Sequence, residues 1–391
     1  TGNPKVTFFQ AVYKRHTNFA MENIEQTVNG TAAANGRVSV TVARNGDLIA
    51  DMYVELKTCS TAKIATDAWV AERAIKDVEL SIGGQRIDKH YQKWWRLYSE
   101  LYLSEAAKLN YGKMTSGVVS AKAVFLPLIF FFNRNPGLAL PLIALQYHEV
   151  RLDFDLSAEF ATYTDGSTFK VWGNYMYLDT EERRRFAQKG HEYLIEQVQH
   201  TGTDSVTVGS ENQKRLSYNH PVKELVWCLD EGGTDFANTW NFTNTNITVT
   251  SNISQAVFDS NCFVSPSTAG APMLLQEGTQ FDEESDGPLD TFKLVLNGQD
   301  RFKEQGGKYF NQVQPYIHHS GSPMPGVYSY SFALKPEEHQ PTGTCNFSRI
   351  DNAQVSIKPK TGVRNDTLHM FATNYNVLRI QSGMGGLAFS N

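Results

Sequence analysis

Alternation of apolar and polar residues with a period of two recurs along this chain and narrows its fold more than any other feature. Val150-Arg151-Leu152-Asp153-Phe154-Asp155-Leu156 sets four apolar residues against three charges. Val38/Val40/Val42, Met52/Val54/Leu56 and Val78/Leu80/Ile82 repeat the pattern, as does Tyr328/Tyr330/Phe332/Leu334 against Ser329, Ser331 and Ala333. Such segments put one face in a core and the other toward water, as in an antiparallel sandwich. Asn45-Gly46, Gly83-Gly84 and Asn297-Gly298 supply turn chemistry between them.

Helical signals are few. Ile87, Tyr91, Trp94, Trp95, Tyr98, Leu101 and Tyr102 form a stripe at spacings of 3 and 4 residues. A short second helix is expected over Glu105 to Leu109. A charged helical turn is expected over Asp179 to Phe186, with Asp179 capping and Glu182 reaching back. Its run Glu181-Glu182-Arg183-Arg184-Arg185 reads as a solvated joint between two units.

The two halves align in order. A shift of 174 places Phe19 on Tyr193, Asn45 on Asn219 and Tyr53 on Trp227; a shift of 214 places Gly84-Gln85 on Gly298-Gln299. A shift of 200 places Phe132 on Phe332, Pro136 on Pro336, Pro141 on Pro341 and Tyr147 on Phe347. This collinearity points to a tandem duplication of one sandwich. The jumps in offset give the second half about 40 extra residues between Asn219 and Gly298, and the first half about 14 between Gly84 and Pro136. The Asn/Thr/Ser-rich stretch Glu231 to Pro288 reads as a long exposed loop.

Charged residues are only 20% of the 391 and aromatics 12%, which excludes a disordered chain. The net charge of −5 disfavours a direct nucleic-acid binder. The longest apolar runs, Val124 to Phe132 and Leu138 to Leu145, are too short to cross a bilayer as helices, and no signal peptide is visible after Thr1. Cys59, Cys228, Cys262 and Cys345 lie far apart and read as reduced thiols, with one or two disulfides still open.

Reactive chemistry is sought and mostly not found. Asp282-Glu283-Glu284-Ser285-Asp286-Gly287 imitates the start of a calcium loop, but Lys293 stands where the twelfth-position Glu belongs, so a solvated acidic loop is expected. His148-Glu149 reads as structural, and His318-His319 lacks further metal ligands. Gly383-Met384-Gly385-Gly386 reads as a turn, and Trp94-Trp95 as core packing instead of a sugar platform. No catalytic residue, metal or cofactor is expected. Six Asn-x-Ser/Thr sequons occur, at Asn29, Asn241, Asn246, Asn252, Asn346 and Asn365. The last five are taken as candidate glycosylation sites.

Several longer blocks carry a resemblance: Thr1-Gly2-Asn3-Pro4 with Tyr13-Lys14-Arg15-His16-Thr17-Asn18-Phe19, Ile82-Gly83-Gly84-Gln85-Arg86-Ile87-Asp88, and Asn135-Pro136-Gly137-Leu138-Ala139-Leu140-Pro141-Leu142. In the second half come Leu296-Asn297-Gly298-Gln299-Asp300-Arg301-Phe302, Cys345-Asn346-Phe347-Ser348-Arg349-Ile350-Asp351-Asn352 and Ser382-Gly383-Met384-Gly385-Gly386. From end to end the chain resembles the major capsid protein of nucleocytoplasmic large DNA viruses, of the chlorella-virus and mimivirus-like type. The resemblance implies an all-β double jelly roll, two tandem eight-stranded jelly rolls with a few short helices in loops. The expected boundaries are 1–181 for the first roll, 182–190 for a linker helix, and 191–391 for the second roll, with an inserted outer loop at about 231–288. It implies a homotrimer forming a pseudo-hexagonal capsomer of an icosahedral shell. Neighbouring capsomers and minor capsid proteins beneath the shell would be its partners, with glycans attached and no direct nucleic acid. The expected place is the virion, after assembly in the host cytoplasm. The alternative is a carbohydrate-binding or carbohydrate-hydrolysing β-sandwich using Asp153 and Asp155, which share one strand face at i, i+2.

Overall fold

The computed structural model of the chain describes residues 2–59, 69–117, 121–230, 242 and 286–390. Eight principal strands build the first half: β1 (Phe19–Gln26), β2 (Arg37–Thr41), β3 (Leu48–Thr58), β4 (Ile75–Ile82), β5 (Gln85–Tyr91), β6 (Ala123–Pro127), β7 (Val150–Leu156) and β8 (Thr164–Leu178). They pair antiparallel into two facing sheets, ordered β1-β8-β3-β6 and β2-β7-β4-β5. The second half supplies β9 (His191–Ser205), β10 (Asn212–Arg215), β11 (Pro221–Asp230), β12 (Leu289–Leu296), β13 (Gln299–Asp300), β14 (Val327–Ser331), β15 (Ala353–Pro359) and β16 (Thr367–Gln381). Their sheets are ordered β9-β16-β11-β14 and β10-β15-β12-β13, the same permutation advanced by eight strands. This is the double jelly roll.

Alternation explains the layers. In β3, Met52, Val54 and Leu56 enter the first core, while Asp51, Tyr53, Glu55 and Lys57 point outward. In β11, Leu225, Trp227 and Leu229 enter the second core, where the Trp227 ring stacks on Phe292 at 4.2 Å and touches Phe310 and Tyr328. Burying one such large apolar side chain is worth roughly 1.5–3 kcal/mol.

The structure corrects the sequence alignment of the halves in two places. The inward residues of β3 and β11 match at an offset of 173, so the shift of 174 had set outward Tyr53 against inward Trp227. A slip of one residue turns a strand over. Leu140-Pro141 and Cys345-Asn346, which pair with matching ends of β3 and β11, stand 205 residues apart, where the shift of 200 had set Pro141 against Pro341. The hairpins keep the predicted 214: β4 and β12 begin at 75 and 289, and β5 and β13 at 85 and 299. Their turns, Gly83-Gly84 (φ +58° and +81°) and Asn297-Gly298 (+51° and +79°), use the left-handed pairs that two-residue hairpins need.

Helices also depart from expectation. The stripe begins as strand: Ile87 and Tyr91 belong to β5, and the helix runs Gln92–Tyr102 (α1). Residues four apart satisfy periods of both two and 3.6, which is why the stripe misled. The following helix is longer than expected, Glu105–Thr115 (α2), capped by Ser104. The joint is Thr180–Gln188 (α3), with Asp179 accepting from the Thr180 amide at 2.8 Å and no residue of α3 buried. β14 stops at Ser331, so Phe332 and Leu334 lie beyond it.

Candidate assembly surfaces

The first roll packs against the outer face of the sheet β9-β16-β11-β14, and that seam is built largely from α1. Tyr91 and Trp94 lie on Phe371 at 6.1 and 5.7 Å, and Val226, Cys228 and Phe371 join the first roll's core. Outward acids of the second roll meet donors from the first. Arg134 pairs with Glu196 at 3.0 Å, Lys93 with Asp230 at 2.6 Å, and the Tyr102 hydroxyl donates to Glu224. Lys223, itself buried, reaches Glu196 at 2.6 Å. Further contacts run along the edges: the Lys108 ammonium donates to the Ser322 carbonyl at 2.5 Å, and the Met324 amide to Glu100 at 3.1 Å. His148 and the Gly385 backbone meet at 2.9 Å.

Electrostatics within the seam are tuned by burial and partners. Burial raises the Glu196 carboxyl, but Arg134 and Lys223 outweigh it and hold the group below its usual range. His319 sits between Glu224 and Glu337; burial opposes its charge, yet the two carboxylates push its pKa up to about 9. His200 has no such partner. It stacks on Phe371 at 4.3 Å, and burial, with His369 nearby, lowers it to about 4.

The matching outer face of the first roll, on sheet β1-β8-β3-β6, carries no such cover among the described residues. Phe19 and Met21 on β1 are more than half exposed, and Tyr53 and Trp172, paired across β3 and β8, are partly open. A cavity of about 520 Å³ beside β3 and β6 is lined by Asp51, Tyr53, Phe125, Met114, Tyr98 and Arg134. Ahead of β1, residues 2–18 form neither strand nor helix, and Phe8 and Phe9 stand 96% and 99% exposed.

Most residues singled out in the sequence turn out to serve packing. Trp94 and Trp95 are core residues. His318 meets the Leu334 carbonyl at 3.0 Å, while His319 belongs to the buried carboxylate pair already described. Arg183 of α3 pairs with Asp47 at 3.0 Å. Gly383 turns a hairpin in which Met384–Leu387 pairs with β16. Residues 282–285 lie outside the described residues; Asp286 is not solvated as expected but buried against Lys360 at 2.7 Å. Asp153 and Asp155 do share a strand, but Asp153 is held by Arg151 at 2.9 Å and Arg37 at 3.6 Å, and Asp155 by Arg37 at 3.8 Å. Cys228 and Cys345 are free thiols, and burial raises Cys228; the Cys59 thiol donates to the Thr162 carbonyl at 2.9 Å, and Cys262 lies outside the described residues.

Of the candidate glycosylation sites, Asn241, Asn246 and Asn252 lie outside the described residues. Asn346 accepts from the Ser348 amide at 3.1 Å. Asn365 is 3% exposed and donates its side-chain amide to the Leu229 carbonyl at 3.0 Å. Among the described residues no group of three or more His, Cys, Asp or Glu could hold a metal ion, and no helix is long and apolar enough to cross a membrane. Sequence reasoning missed the seam acids. Their one local signal was Lys223-Glu224 and Asp230 inside the otherwise apolar run of β11.

The comparisons with known proteins agree with this architecture. The family described as "Large eukaryotic DNA virus major capsid protein" matches residues 182–386, and "Major capsid protein N-terminus" matches residues 7–179. The major capsid protein of Paramecium bursaria Chlorella virus 1 is 46% identical over an alignment covering 100% of this chain and 96% of that protein. That of Pyramimonas orientalis virus is 41% identical with the same coverage. The chain in the quasi-atomic model of the PBCV-1 virus capsid superimposes with a TM-score of 0.80 at 41% identity, covering 98% of this chain and 100% of that one. The Faustovirus major capsid protein shares the fold, with a TM-score of 0.72 at 14% identity. The chain belongs to the large eukaryotic DNA virus major capsid protein family.

Proposed function

We propose that this chain is a shell-building protein of an icosahedral large DNA virus, working as a homotrimer whose six rolls form a pseudo-hexagonal block. One observation carries the reading: two rolls with an identical strand permutation are fused in one chain by a broad polar and aromatic seam. Two similar wedges per chain and three chains per ring give similar lateral contacts on every side. In this reading 1–181 and 191–391 are the two wedges, joined by the 182–190 segment. Of the expected insert at about 231–288, residues 231–241 and 243–285 lie outside the described residues; the exposed segment ahead of β1 meets neighbouring capsomers or minor proteins beneath the shell. The protein performs no catalysis. Glycans on Asn241, Asn246, Asn252 or Asn346, and assembly in the host cytoplasm before packing into virions, complete the proposal.

The test is size-exclusion chromatography with light scattering on the full chain at micromolar concentration. A particle of about three times 43.8 kDa is expected, and a stable monomer overturns the reading. The carbohydrate-active alternative loses its motivating feature, because arginines already occupy Asp153 and Asp155.

A further inference from the structure

The seam inside the chain is a template for the contact between chains. Its covering element follows β5 and precedes β6, and it lies on the outer face of β9-β16-β11-β14. The element in the same place in the second roll follows β13 and precedes β14. It contains the helical turns Tyr309–Val313 and Gln314–His318. On it, Val313, Tyr316 and Ile317 are 41%, 89% and 60% exposed. Their i, i+3, i+4 spacing makes them one apolar stripe. Among the described residues Tyr316 and Ile317 join no core cluster.

The surface such a stripe would cover is on the first roll. When Met52, Val54 and Leu56 are matched to Leu225, Trp227 and Leu229, Asp51 falls on Glu224 and Tyr53 on Val226. Across the ladder Trp172 stands opposite Tyr53, as Phe371 stands opposite Val226. Val226 and Phe371 are buried beneath Tyr91 and Trp94 of the first roll; Tyr53 and Trp172 are half-buried, and Tyr53 lines the 520 Å³ cavity. Arg134 and Tyr98 line that cavity and also belong to the seam, so the open groove continues the interface already formed. Charge runs the same way in both places. The covered face presents acids to cations, and the open face presents Asp51, Glu55 and Glu25. In sequence, Lys303 and Lys308 precede the stripe and Lys335 follows it.

We propose that Tyr316 and Ile317 of one copy dock on the Tyr53–Trp172 face of a second copy of this chain, repeating between chains the seam made within each. The contact is heterologous, head to tail, and a closed ring makes it once per chain. It rests on the trimer proposed above and assigns that trimer its anchor residues.

Two experiments test it on the full chain. The double variant Tyr316→Asp with Ile317→Asp alters residues that support no core, so its circular dichroism and melting should match the parent. Its trimer should dissociate at about 30-fold or more higher concentration, the loss typical of removing central aromatic anchors. Pairing Tyr316→Cys with Tyr53→Cys should give dimers and trimers linked by disulfide on a non-reducing gel, and neither single variant should do so. A parent chain that is monomeric defeats the trimer itself. A parent trimer that the Asp variant leaves intact, with no cross-link from the cysteine pair, defeats this docking and leaves the trimer standing; that result would also follow if the exposed arm at residues 2–18 filled the groove.

Discussion

The outer faces of β1-β8-β3-β6 and β9-β16-β11-β14 share a strand order and differ in fate. One is open with Tyr53, Trp172 and a groove; the other is sealed beneath Tyr91 and Trp94. The fold does not require the cover, because the first roll forms the same sheet without one among the described residues. The cover changes the chemistry that the face tolerates. On the open face Asp51 is exposed and the half-buried Glu55 accepts from the Trp172 indole at 2.7 Å, whereas on the sealed face Glu196, Glu224 and Asp230 are buried and each is met by a cation or hydroxyl. Buried charge without such partners would be costly.

The largest contrast should come from truncating the corresponding outward aromatics. Phe371→Ala opens a cavity in the seam, and urea unfolding should show a loss of about 3–5 kcal/mol. Trp172→Ala, on the open face, should cost the isolated chain less than about 1 kcal/mol, while weakening its association. Equal losses at the two sites would show that the faces are not distinguished by what covers them. Glu196→Gln comes next. It leaves Lys223 buried without its carboxylate, and Arg134 as well, so about 3 kcal/mol should be lost, the lower end because the Arg134 side chain still reaches some water. The same denaturant titration measures it, and an unchanged midpoint would mean the triad carries no net stability.

The sequence exposed the two rolls because strand alternation and hairpin chemistry are local. Gly83-Gly84 and Asn297-Gly298 are turn pairs in any context, and their offset of 214 survives intact in β4, β5, β12 and β13. The seam was less legible because it is a property of two surfaces meeting. Ile87 and Tyr91 fit strand and helix equally. Tyr53 and Trp227 matched by residue type while pointing in opposite directions. Nothing near His318-His319 in sequence announces Glu224, which lies 95 residues away and turns His319 from a candidate ligand into a buried cation.

A smaller effect follows from that histidine and reads the sealed face through pH. Its folded pKa of about 9 exceeds the ordinary 6.5, so its stabilisation is complete below pH 6.5 and disappears as pH rises through 9. His319→Gln should therefore be less stable than the parent by an amount on the order of 2 kcal/mol at pH 6, with the gap closing near pH 9–10. Melting the two proteins across that range checks it; a gap that does not vary with pH would show that the Glu224 and Glu337 pairings are not what holds the charge.

The smallest expected effect lies on the first roll's other sheet, where an acid meets an acid. Asp77 on β4 stands opposite Asp155 on β7. Burial, and then the hydrogen bond to Asp155, push Asp77 up to about 6 despite Lys89 at 3.7 Å. Here the folded pKa exceeds the ordinary 3.8, so the folded state holds the proton more tightly and stability falls as pH rises from about 4 to 6. Asp77→Asn removes that penalty along with the weaker Lys89 attraction. It should stabilise the chain by about 1 kcal/mol at pH 8 and leave it nearly unchanged at pH 4. Destabilisation at pH 8 would instead assign Asp77 to its lysine, and would place the paired-acid chemistry of the sealed seam on this sheet as well.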